Sequence, residues 1–145
     1  MDLNKKVAII TGSAQGLGKA FAERLLRDGG KVCISDVNKE KGQEALTELQ
    51  KKFGIENVCF ELCDVTIDEQ FRNLFDKAEN YFQVECVDIL VNNAGINTNY
   101  GWRKCMNVNI MAVMNGTEIA LERMTKSGKP CQIINTASMG NKNES

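Results

Sequence analysis

The sequence predicts an α/β fold, a doubly wound parallel sheet with helices on both faces. Two observations carry this. Short apolar runs alternate with amphipathic helical patterns four times, and a last strand-like run follows. The runs are also apolar throughout rather than alternating, as in strands buried on both faces. A length of 145 residues suits one domain. With 43% hydrophobic and 26% charged residues, the composition supplies a core and argues against disorder. The domain is expected over 1–140, with 141–145 as a polar tail.

Val7 to Ile10 forms the first strand, and Thr11-Gly12 ends it. From Gly16 to Arg27 the residues Leu17, Ala20, Phe21, Ala22, Leu25 and Leu26 keep helical spacing until Gly29-Gly30 stops the helix. Val32 to Ser35 is the second strand and leads into Asp36. Lys39 to Phe53 places Ala45, Leu46 and Leu49 on one face and charges on the other, a surface helix. Asn57 to Cys63 is the third strand. A helix is expected from Thr66, with Glu69 completing a capping box and Phe71, Leu74, Phe75 and Ala78 as its stripe. Val87 to Val91 is the fourth strand. A long helix from about Trp102 to Met124 follows, with Trp102 anchoring its start. Gln132 to Asn135 sits in the fifth strand.

Composition removes whole classes of function. The 18 basic and 19 acidic residues give a net charge of −1, which gives no support to a nucleic-acid binder or a basic membrane-surface protein. There is no histidine, so His-based catalysis, Ser-His-Asp triads and His-ligated metals are out. The six cysteines contain no Cys-x-x-Cys pair, so no metal site is expected. Most lie in apolar runs and read as buried small hydrophobes in a reducing compartment. No stretch reaches the roughly 20 apolar residues of a membrane span, and the expected location is cytoplasmic.

Three motifs carry chemistry. Thr11-Gly12-Ser13-Ala14-Gln15-Gly16-Leu17-Gly18 joins the first strand to the first helix. Glycine permits close backbone approach to a ligand, and a helix N-terminus offers unpaired N–H groups to a phosphate. Asp36 then ends the second strand, where an acidic residue accepts hydrogen bonds from an adenosine ribose. A P-loop is ruled out, because Ser13 stands where its first glycine belongs and Ala20 replaces its Ser/Thr. Asp64-Val65 follows the third strand, either beside an adenine ring or as a helix cap. Asn92-Asn93-Ala94-Gly95 follows the fourth, either knitting neighbouring loops and touching a ligand or making a plain turn.

Taken in order, these motifs resemble the short-chain dehydrogenase/reductase family, and the resemblance runs to about Gly140. It is strongest to a branch of NAD-dependent dehydrogenases that oxidise hydroxylated fatty acids such as prostaglandins. The resemblance implies a Rossmann-like sheet in the order 3-2-1-4-5, truncated after the fifth strand. It implies NAD held by Gly12, Gln15, Gly16, Leu17, Gly18, Asp36, Val37, Cys63, Asp64, Val65 and Asn93. It assigns the family's catalytic serine, which hydrogen-bonds the substrate oxygen, to Ser138 and its catalytic helix asparagine, which supports a water relay to the lysine, to Asn109, for a small-molecule substrate that is a secondary alcohol. The family's Tyr-x-x-x-Lys helix does not occur after Ser138. Tyr100-Gly101-Trp102-Arg103-Lys104 matches the spacing but lies before the long helix, and is read as a chance match. The chain as given is therefore expected to turn over no alcohol by itself. The alternative is a non-catalytic NAD-binding module or short isoform that associates with full-length subunits. Homo-oligomerisation is expected through the helix near 102–124, and self-association is expected from the uncharged fifth strand.

Overall fold

The structure is a computed structural model and describes residues 1–137. Ser138 and the expected tail, 141–145, lie outside the described residues. Strands β1 (Val7–Thr11), β2 (Lys31–Asp36), β3 (Val58–Leu62), β4 (Ile89–Asn92) and β5 (Gln132–Asn135) form one parallel sheet in the order β3-β2-β1-β4-β5.

Side-chain alternation explains the unbroken apolar runs. Ala8, Ile10, Val32 and Ile34 face α1 (Gly16–Arg27) and α2 (Lys39–Phe53), packing on Ala22, Leu26, Ala45 and Leu49. Val7, Ile9, Cys33 and Leu90 face the other way. There they meet Phe71, Leu74 and Phe75 of α3 (Asp68–Phe82) and Ile119, Ala120 and Met124 of α5 (Ala112–Ser127). Both helix pairs hold their apolar stripes against the sheet, so its carboxyl edge is left to the loops.

Two helices differ from expectation. α3 begins at Asp68 behind Ile67, with no side-chain cap, so the Thr66–Glu69 capping box does not form. Thr66 is engaged elsewhere: its N–H and hydroxyl both donate to Asp64 Oδ1, at 2.9 and 2.6 Å. The long helix runs to Ser127 and is interrupted. A short α4 (Trp102–Met106) passes through a π-helical turn, Asn107–Met111, into α5. Trp102 does not anchor this helix. It is 63% exposed, with the Arg103 guanidinium 4.3 Å above its ring.

The cysteines are all free, four buried and two partly so. Burial pushes the Cys63 thiol up to about 12, opposed in part by the Ser35 hydroxyl. The adjacent Cys59 thiol and burial together raise Cys33. Thiolate is the reactive form. Alkylation of the folded chain at pH 8 should therefore label Cys105 and Cys131 quickly and the other four only as the chain unfolds. Mass spectrometry of a time course checks this, and six equal rates would contradict the core described here.

Candidate dinucleotide-binding site

The site is built where the strand order reverses, at the carboxyl ends of β1, β2, β3 and β4. β1 ends in Thr11, which is 1% exposed. Its hydroxyl oxygen accepts the N–H groups of Asn93 and Ala94, both at 3.0 Å. The Asn93 amide in turn donates to the Gly12 carbonyl at 3.1 Å. The Asn-Asn-Ala-Gly segment is thereby clamped onto the glycine loop.

Each glycine has its own reason. Gly12 and Gly16 adopt left-handed φ of 61° and 60°. A Cβ on Gly12 would stand 2.7 Å from Ala94 Cα, and one on Gly18 would stand 2.5 Å from Asn93 Nδ2. A Cβ on Gly16 would meet nothing within 4 Å, so the face before that residue is open. Gln15 precedes α1 without making a side-chain cap, and the first turn of the helix holds no acidic residue. The positive end of the helix dipole and its unpaired amides are left for an anion.

Asp36 sits beside this loop with both carboxylate oxygens engaged. Oδ2 accepts from Ala14 N at 3.1 Å and Oδ1 from Asn38 N at 3.0 Å. The carboxylate is fixed in place, yet each oxygen keeps a lone pair for a ligand hydroxyl. Leu17 and Val37 are exposed, at 60% and 66%. Beneath, Ser13 ties β1 to β2: its N–H donates to Ser35 O and its Oγ accepts from Ser35 N.

Asp64, Val65 and Cys63 close the third side. The Cys63 N–H donates to Asp36 O at 3.1 Å, joining the ends of β2 and β3. The Cys63 and Val65 side chains are buried in the core, so they form the floor, while Asp64 turns the chain above them through its bonds to Thr66. The structure thus gathers Gly12, Gln15, Gly16, Leu17, Gly18, Asp36, Val37, Asp64 and Asn93 on one edge. The helix-cap alternative for Asp64 does not hold, since Ile67 occupies that position.

Asn109 stands apart, in the π turn. Its Oδ1 accepts from Ile96 N and its Nδ2 donates to Ile96 O, both at 2.8 Å. Its side chain is spent holding the loop after β4 against the helix. The Lys104 ammonium lies 5.3 Å over the face of the Tyr100 ring, and Tyr100 is 62% exposed. Among the described residues no group of three or more His, Cys, Asp or Glu residues is arranged to hold a metal ion.

Sequence reasoning placed Thr11 in the glycine motif but missed its clamp on Asn93 and Ala94, and missed the link from Lys41 Nζ to Gln15 Oε1 at 2.6 Å. Thr11 left a signal, a hydroxyl residue closing an otherwise apolar strand. The Lys41 link left none, because it joins residues 26 apart across two loops.

An anion-accepting helix start with a pinned acidic residue at the end of the neighbouring strand defines a dinucleotide-binding α/β domain. Within that class the chain belongs to the short chain dehydrogenase family, whose profile matches residues 6–145. It is 42% identical over 141 residues to 15-hydroxyprostaglandin dehydrogenase [NAD(+)] of Macaca fascicularis, covering 96% of this chain and 52% of that protein. It is 33% identical over 145 residues to cyclopentanol dehydrogenase of Comamonas testosteroni, covering 94% of this chain and 56% of that protein. A short chain dehydrogenase/reductase from Burkholderia phymatum, solved in complex with NAD, superposes with a TM-score of 0.87 at 29% identity, covering 95% of this chain and 50% of that one. The chain spans about half the length of the curated relatives it matches.

Proposed function

We infer that this chain is the cofactor-binding part of an NAD-dependent oxidoreductase of secondary alcohols. The substrate class we assign is a hydroxylated fatty acid of the prostaglandin type, supported by the similarity to 15-hydroxyprostaglandin dehydrogenase. The observation that carries the cofactor is Asp36, whose carboxylate is held by two backbone amides at the end of β2. The residues present fit the group: a glycine loop open at Gly16, an uncapped helix start, and an acceptor with lone pairs to spare. Bound NAD supplies the hydride acceptor. The amides at the start of α1 would hold the diphosphate, Asp36 would accept from the ribose hydroxyls, and Asp64 would flank the adenine, with Val65 in the floor beneath it. Asn109 keeps the loop after β4 in register with the helix, and Ser138 is assigned to the substrate oxygen by family resemblance. Six free thiols support a reducing, cytoplasmic compartment. Among the described residues no helix is long and apolar enough to cross a membrane.

Calorimetric titration tests the cofactor. A fixed carboxylate facing a 2′-phosphate should favour NAD over NADP by about tenfold, within the 1–3 kcal/mol of a partly screened charge pair. Equal affinities, or tighter NADP, would overturn the assignment.

Self-association with a second copy, or association with full-length subunits, is supported by a different face. Ile110, Met111, Met114 and Leu121 are exposed, and a groove of about 1380 Å³ runs along α5 past Val65 and Thr117. Beside it β5 is the last strand of the described sheet, with Ile134 43% exposed. Apolar patches of this kind mark association sites. Sedimentation velocity should show a concentration-dependent mass above 16.1 kDa. A sharp monomer at all concentrations would contradict it.

A further inference from the structure

We propose that Lys41 is a second specificity determinant, a positive charge held beside the adenosine ribose that offsets the repulsion of a 2′-phosphate by Asp36. This rests on the dinucleotide site described above. The placement of Lys41 follows from a closed circuit of hydrogen bonds. Ala14 N donates to Asp36 Oδ2, and the next residue, Gln15, accepts the Lys41 ammonium on its Oε1 at 2.6 Å. The Lys41 N–H donates to Asn38 Oδ1 at 3.0 Å, and Asn38 N donates to Asp36 Oδ1, which closes the ring. Lys41 is therefore held at both ends, its backbone N–H by Asn38, which pins the carboxylate, and its ammonium by Gln15, the neighbour of Ala14, which pins it too.

Its charge is also uncompensated. Lys19, the lysine in the first turn of α1, is tied to Glu48 in an ion pair. Among the described residues Lys41 has only the neutral Gln15 amide as its side-chain partner. Lys41 comes from the first turn of α2, directly after the end of β2, so it stands on the ribose side of the glycine loop. A 2′-phosphate, carrying close to two negative charges, would find Asp36 and Lys41 together. Unphosphorylated ribose gives the ammonium no anion there. The preference of this chain for NAD is then a difference between two opposed charges, and removing Lys41 sharpens it.

The test is binding, not turnover. NADH and NADPH are titrated calorimetrically into the 145-residue chain, wild type and Lys41→Gln, which keeps length and polarity. The comparison is repeated in an Asp36→Asn background. NADH affinity should change by less than about twofold, while NADPH affinity falls about three- to fivefold, the size of an exposed ion pair. Without the opposing carboxylate the NADPH loss should reach about tenfold. Equal losses for both cofactors, or no NADPH loss in either background, would overturn the proposal while leaving the dinucleotide site standing. Wild-type chain that binds neither cofactor would overturn both.

Discussion

Replacing Thr11 by Val lowers stability by about 2–4 kcal/mol and detaches the loop after β4, whereas Thr11→Ser costs under about 1 kcal/mol. Valine matches threonine in shape, so packing is retained and the loss is chemical. The Thr11 hydroxyl oxygen is the acceptor for two backbone N–H groups, those of Asn93 and Ala94. In the valine variant both donors stay half-buried without a partner, and each unsatisfied donor costs about 1–3 kcal/mol. Serine keeps the oxygen and loses one methyl. Urea unfolding midpoints check the pair: a midpoint for Thr11→Val equal to wild type would show that water replaces the hydroxyl freely. NADH affinity should fall with stability in the valine variant, because the Asn93 amide that braces the Gly12 carbonyl moves with the loop.

Gly18→Ala should be as damaging, for steric reasons. The new methyl would lie 2.5 Å from Asn93 Nδ2, 2.6 Å from Gly12 O and 2.9 Å from Ser13 Cα. Two of these neighbours are backbone atoms of the glycine loop itself, so relief requires the loop to shift away from α1. Overpacking of this kind costs about 1–3 kcal/mol. The geometry of the phosphate site goes with it, and NADH binding should weaken on the order of 30-fold, since each 1.4 kcal/mol is a factor of ten. Gly16→Ala is the control. It meets no atom within 4 Å and carries only the strain of its left-handed φ, about 1–2 kcal/mol. Similar binding losses in the two variants would mean that loop packing at Gly18 is not what shapes the site.

The sheet was legible because β1, β2 and β4 are buried on both faces and each holds an unbroken apolar stretch, Val7 to Ile10, Val32 to Ile34 and Ile89 to Val91. α1 and α2 kept their read limits because each is closed by a local signal: Gly29 at φ 87° after one, and Asn38 capping the other through Lys41 N. The start of α3 was misread because Thr66 had two partners to choose from, and Asp64, two residues back, won over Glu69. The π turn had no sequence signature. It is fixed by Asn109 bonding to Ile96 across 13 residues, a contact that exists only once the fold is made. At the site, glycines and Asp36 were readable since backbone shape and charge belong to residue type. Cys63 and Val65, expected at the ligand, lie in the floor beneath it, because the turn after β3 buries their side chains in the core. The Asp36–Ala14–Gln15–Lys41–Asn38 ring was invisible for the same reason as the π turn.

The most direct test of the central claim, that the carboxyl edge of β1 to β4 is a dinucleotide cradle, is a backbone-amide NMR titration of the 145-residue chain with NADH. The largest shifts should fall on Gly12 to Gly18, on Asp36 and Val37, on Asp64 and Val65, and on Asn93, saturating together at one affinity. Shifts confined to the α5 groove around Met111, Met114 and Leu121, or none anywhere at millimolar NADH, would contradict it.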